Sequence, residues 1–204
     1  MEYLSKVSIL ILISLFCLSS CNNFRDREYK KDMGDLKELK RETPGIKKIF
    51  ISGIPTVQVS KGLPGHLAIT GFEKELAKVN IDIRSDSLIV KYTGPNDNSK
   101  PSLSMNLYIQ ELEALDVKSV GKLSVGDYVL NADGSEVSLT SIGSVNIDFS
   151  VKNIDCTISS VASAELNGSS ESGRFVLSAI ALLNLSNFQR KHASVETTAI
   201  GRQL

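Results

Sequence analysis

From Lys48 onward, apolar side chains take every second position in a succession of short runs. Val57 and Val59, Leu67 and Ile69, Val79 with Ile81 and Ile83, and Leu88 with Val90 follow this rule, and Leu103, Met105, Leu107 and Ile109 repeat it. In an extended chain alternate side chains share a face, so each run predicts a strand with one buried side. Gly53, Pro64-Gly65, Gly71 and Gly94-Pro95 fall between the runs and read as turns. No run in this half carries helical periodicity.

The second half repeats itself. Leu115–Val125, Val137–Ile147, Cys156–Leu166 and Phe175–Leu185 align, and Val195–Leu204 is a truncated fifth copy. Their central small residues, Ser119, Ser141, Ser160, Ala179 and Ala199, are 22, 19, 19 and 20 residues apart. In each full copy two apolar positions alternate toward the centre (Leu115/Val117, Val137/Leu139, Cys156/Ile158, Phe175/Leu177). A small residue, a Val or Ile out of phase with that pair, and Gly or Ala follow, and alternation then resumes (Leu123/Val125, Val145/Ile147, Ala164/Leu166, Leu183/Leu185). The phase slip predicts a corner between two short strands, where a small residue fits a tight bend. Constant strands joined by variable connectors predict a parallel β-solenoid of about 20 residues per coil, its stacked coils burying an aliphatic column. A β-sandwich with coincidental spacing is the alternative. The recurrence of the slip in register favours the solenoid.

The first 47 residues follow other patterns. Ser8–Leu18 is an apolar run too short for a membrane span, which needs roughly 18 residues or more, and Leu18-Ser19-Ser20-Cys21 after it looks like a bacterial lipobox. The expectation is an export signal over 1–20, removed in the mature protein, with lipid attached at Cys21. Cys17 is discarded with the signal. Stable anchoring by two or more acyl chains removes any need for a transmembrane helix. Residues 21–47 are strongly polar and read as a lipid-anchored charged tether, with Asp35–Lys40 compatible with a turn or two of helix. The β-solenoid body then occupies 48–204, less regular over 48–110 and clearly repetitive over 111–204.

From about Phe50 to Leu204 the chain resembles the DUF2807 family, the putative auto-transporter adhesin head GIN domain. The residues that carry the likeness are Phe50-Ile-Ser-Gly53 with Val57-Gln-Val59, Leu88–Tyr92, Leu107–Leu112, and the corners Ser119-Val-Gly121, Ser141-Ile-Gly143 and Ser160-Val-Ala162. The family's corners are richer in Gly than Ala162, Ala179 and Ala181 are here. The resemblance implies a right-handed parallel β-helix behind a lipoprotein signal and an adhesin-like role, and it brings no catalytic residues.

Composition removes several function classes. Lys+Arg and Asp+Glu balance at 23 each, so the basic excess of a nucleic-acid binder is missing. His66 and His192 are 126 residues apart with no cysteine at ligand spacing, and no metal or other cofactor is expected. Cys156 takes the position filled by Leu115, Val137 and Phe175 in other copies and reads as a buried small hydrophobe. The abundant serines lack a Gly-x-Ser-x-Gly elbow.

A carbohydrate-active β-helix enzyme of the polysaccharide-lyase kind would need clustered acids or a Lys/Arg base on one outward face. The outward positions are mostly neutral (Thr140, Ser144, Asn146, Thr157, Ser159, Ser163, Ser178, Asn184, Thr198). Asp116, Glu165 and Glu196 are scattered, and Tyr128, Phe149 and Phe188 are few and isolated as sugar platforms.

The sequence therefore predicts a non-catalytic envelope lipoprotein, adhesin-like, held to the membrane through its lipid. Its Ser/Thr/Asn-rich face would contact a protein or glycan partner. Asn22 after the lipid cysteine favours the outer membrane, on its periplasmic or its surface side. A carbohydrate-active enzyme and a purely structural envelope protein are the alternatives. The last copy lacks a polar cap, which would leave an edge open to a partner or a second copy.

Overall fold

The computed structural model describes residues 32–94 and 103–203. The export signal, Cys17, Cys21, the first part of the tether, Pro95 and Leu204 lie outside them. The strands are β1 (Leu36–Glu42), β2 (Lys48–Ser52), β3 (Thr56–Lys61), β4 (His66–Phe72), β5 (Val79–Arg84), β6 (Ser87–Tyr92), β7 (Ser104–Ile109), β8 (Ala114–Leu130), β9 (Gly134–Asn184) and β10 (Phe188–Gln203), with a single-turn helix α1 (Glu73–Leu76) after β4. Asp35–Lys40 forms no helical turn: most of it is β1, which pairs antiparallel with β4 from Leu36↔Phe72 to Glu42↔His66.

All ten strands join one sheet, in the order β1-β4-β7-β3-β8-β2-β6-β5 with β9 on β8 and β10 on β9. This sheet corrects the fold expectation. The body is all-β, but it is a mixed half-barrel and not a right-handed parallel β-helix, because β1–β4, β4–β7 and β5–β6 run antiparallel. The physical reason is that alternation specifies which face a side chain takes. It says nothing about the direction of the neighbouring strand, since side chains alternate alike in parallel and antiparallel ladders. Regularity at 111–204 was extended to a region whose flanking strands reverse.

The repeats pair in parallel. Leu115↔Val137, Val117↔Leu139, Val120↔Ile142, Leu123↔Val145 and Val125↔Ile147 are direct neighbours, as are Phe175↔Val195 and Ile180↔Ile200 further on. The inward members from Leu115 to Ile147 are all buried and belong to one aliphatic core. Burial of each contributes roughly 1.5–3 kcal/mol, so this core needs few aromatics.

A further copy of the repeat precedes the five read from sequence. Ile49 and Ile51 pair with Leu115 and Val117, and Val57 and Val59 pair with Leu123 and Val125. Gly53-Ile54-Pro55 between them is the corner, with Gly53 at φ 77°.

The corner residues share one backbone state. Ser119, Ser141, Ser160, Ala179 and Ala199 all lie at φ between 51° and 57°. This left-handed state costs a side-chain-bearing residue roughly 1–2 kcal/mol, more if it is β-branched, which explains why every copy places a small residue there. Ser141→Val is therefore expected to lower stability by roughly 1–3 kcal/mol, and Ser141→Gly to leave it unchanged or raise it by up to about 1 kcal/mol. Urea unfolding of the two variants beside the wild type measures this. Equal losses in both would disprove the conformational explanation.

Candidate functional site

With the inward positions filled by aliphatics, the chemistry of the body is what its outward positions carry. Hydrogen bonds between neighbouring copies order that polar face. Thr140 and Ser159 hydroxyls meet at 3.4 Å, the Ser172 hydroxyl donates to Asn153 Oδ1, and the Asn184 side-chain amide donates to Glu165 Oε1 at 3.4 Å. The partners are 19 residues apart in each case, which is the repeat spacing again.

The face has more than one concave stretch, and Tyr128 lines one of them. A groove of about 500 Å³ is lined by Tyr128 from β8, by Asp148, Ser150, Glu165, Asn167, Gly168 and Ser169 from β9, and by Asn187 and Gln189 beyond it. A relay of amides runs through it. Asn187 Nδ2 donates to Asn167 Oδ1 at 3.2 Å, and Asn167 Nδ2 lies 3.2 Å from Asp148 Oδ1 and 3.3 Å from Asn146 Oδ1. Gly168 lets the chain approach the neighbouring copy: at φ +117° a Cβ there would lie 1.8 Å from the Phe149 carbonyl oxygen.

Tyr128 is half exposed, at 50%. It sits at φ 50° directly after Asp127 at φ 57°, two successive left-handed residues with side chains. The Lys61 amide of β3 donates to the Asp127 carboxylate at 3.2 Å and ties this bend to the sheet.

The residues singled out from sequence disperse. His66 stacks on Tyr108 with ring centroids 4.4 Å apart, far along the sheet from His192 on β10. Asp116 faces Lys118 at 3.2 Å, Glu165 faces Asn184, and Glu196 faces Arg174 at 3.5 Å, so the three acids do not converge. No group of three or more His, Cys, Asp or Glu among the described residues is placed to hold a metal ion. Phe149 and Phe188 are not surface platforms. They pack with Phe175 at centroid distances of 4.9–6.0 Å, Phe149 fully buried and Phe188 partly. Tyr128 lines the groove together with Asn167 and Asn187. Only the amides' recurrence at 20-residue spacing hinted at that in the sequence. The ion pairs elsewhere, such as Lys48–Asp86 at 2.9 Å and Lys47–Glu113 at 2.6 Å, are only partly buried and contribute little.

Cys156 lies in the core, and burial pushes its thiol up to about 12 from the ordinary 9.0. The folded state thus holds the proton more tightly than the unfolded one. The stabilisation is complete below pH 9 and fades as pH rises from about 9 toward about 12. Cys156 in the folded protein is expected to resist a thiol reagent at pH 8 and to react once urea unfolds the chain. Rapid labelling without denaturant would contradict its buried placement.

The family model described as "Putative auto-transporter adhesin, head GIN domain" (DUF2807) matches residues 46–203. Among solved structures, a putative adhesin from Bacteroides fragilis is similar at a TM-score of 0.52 and 11% identity, covering 83% of this chain and 97% of that one. A putative adhesin from Parabacteroides distasonis is similar at 0.51 and 16% (80% and 79% covered), and a putative lipid binding protein from the same species at 0.50 and 11% (80% and 79%). At these identities the likeness is one of fold. No curated protein matches the chain.

Proposed function

We propose, because this chain belongs to the DUF2807 family of putative auto-transporter adhesin head GIN domains, that its body is a non-catalytic binding module of the cell envelope whose polar face engages a protein or glycan partner. The observation that carries this reading is the preorganised outward face. Its Ser, Thr and Asn side chains are bonded from copy to copy, as at Thr140–Ser159 and Asn187–Asn167–Asp148, over a core that supplies rigidity. Side chains already held in place lose little further freedom when a partner binds. The carboxylates of the groove, Asp148 and Glu165, each accept from an asparagine amide.

The module reaches its partner from a membrane. In this proposal the signal is cut before Cys21, acyl chains on Cys21 anchor the protein to the outer membrane, and residues 21–47 lead to the body, with β1 within them already on the sheet edge. No helix among the described residues is long and apolar enough to cross a membrane.

Two measurements test the proposal. Labelled fatty acid fed to the native host should enter the wild-type protein and be lost in Cys21→Ser, which should leave the membrane fraction. The immobilised body should capture a component from an array of glycans and matrix proteins. Labelling that survives Cys21→Ser overturns the anchor, and an array with no captured component overturns the binding role.

A further inference from the structure

We infer that the groove beside Tyr128 is a saccharide-binding site, with the tyrosine ring as stacking platform and the Asn187–Asn167–Asp148 relay as reader of hydroxyl groups. The inference deepens the binding role proposed above and rests on it, narrowing the partner to a neutral glycan.

Three observations converge on this groove. The first is the ring. Among the described residues Tyr128 is the one aromatic of the large apolar side chains at least half exposed, and its backbone is in a state that an aromatic residue rarely adopts. Strain of this kind persists only where surrounding structure enforces it, and it gathers at binding sites. The Lys61–Asp127 bond supplies the enforcement. A half-exposed ring lining the groove offers an apolar face to the C–H side of a sugar.

The second observation is the polar lining. Hydroxyl groups both donate and accept, so they are matched by groups presenting both functions in a fixed plane. Asparagine and glutamine amides do so, and carboxylates add acceptors. Asn167, Asn187 and Gln189 supply the amides here, and Asp148 and Glu165 supply the acceptors. The relay fixes which way the Asn167 amide points: its nitrogen is directed to Asp148 and its oxygen toward Asn187.

The third observation is charge. Among the described residues no Lys or Arg lines the groove, whereas two carboxylates do, so a phosphate, sulfate or uronate would enter against repulsion with no cation to receive it. A neutral polyhydroxyl ligand fits this lining. At about 500 Å³ the groove also falls within the roughly 300–1,000 Å³ of small-ligand sites.

The test is calorimetric titration of the body with cellotetraose, mannotetraose, xylotetraose and chitotetraose, with a lysine-rich peptide as the rival cationic ligand. At least one tetrasaccharide should bind saturably. Tyr128→Asn, which keeps a residue suited to the left-handed backbone, should weaken that binding about tenfold or more. Tyr128→Phe should retain it within about threefold, and Asn187→Ala should weaken it about fivefold or more. Because the chain has five tyrosines and no tryptophan, the same binding should perturb tyrosine absorption of the wild-type protein, a readout that needs no variant.

The site is overturned if none of the four tetrasaccharides binds, if Tyr128→Asn binds like the wild type, or if only the peptide binds. When the groove variants are indifferent and the body still captures a component of the array, this site alone fails. When the array is empty as well, the binding role fails with it.

Discussion

Ile158→Asp is expected to unfold the body, while Thr157→Asp, one residue away, leaves it folded. Ile158 is fully buried in the aliphatic core and Thr157 is exposed. The substitution removes roughly 1.5–3 kcal/mol of apolar burial. It also places in the core a carboxyl that must stay uncharged or remain without a partner, at several kcal/mol more. Together these approach the roughly 5–15 kcal/mol by which domains are stable. The exposed position should change stability by about 0.5 kcal/mol or less. Circular dichroism during heating shows the result directly: a cooperative transition kept in Thr157→Asp and lost in Ile158→Asp. Equal tolerance of both would mean that the alternation does not define the buried face.

Gly168→Ala carries the second large effect, and it joins the core to the groove. The backbone at Gly168 is left-handed, and an added Cβ would overlap the Phe149 carbonyl oxygen. Both obstacles are main chain, so no side chain can rotate to make room. The dihedral strain costs roughly 1–3 kcal/mol and the overpacking a similar amount, about 2–6 kcal/mol together. Gly134→Ala is the control, since a Cβ there meets nothing within 4 Å and its φ is not left-handed. Thermal melts of the two should separate clearly. Because Gly168 lines the groove beside Asn167, the variant should also lose whatever ligand the groove holds, even at temperatures where it stays folded.

How far the sequence could be read depended on which physical signal each feature leaves. Burial is legible: Val117, Leu139 and Ile158 alternate with polar neighbours and are all core residues. The corners are legible as small residues, and their shared left-handed backbone explains the choice. Strand direction leaves no such mark. Leu67 and Ile69 alternate like Leu115 and Val117, yet β4 runs antiparallel to both its neighbours while β8 runs parallel to its own. The solenoid expectation failed there. The earlier copy at Ile49–Val59 escaped notice although its phase slips at Gly53-Ile54, because Pro55 stands where later copies have Gly or Ala.

The groove was least legible of all. Its residues come from the end of one repeat arm and from connectors, and no local pattern places Tyr128 beside Asn187. Nor does one distinguish that exposed ring from Phe149 and Phe188, which turn inward to Phe175. Asp35–Lys40 is compatible with a turn or two of helix by sequence, but pairing with β4 decides its conformation.

The central claim is that this body binds and does not transform. Calorimetry of the intact protein with soluble polysaccharides distinguishes the two in a single trace. Binding predicts heat pulses that shrink as sites fill, with the baseline restored after each injection. A baseline that stays displaced until the polysaccharide is consumed would show turnover and contradict the account.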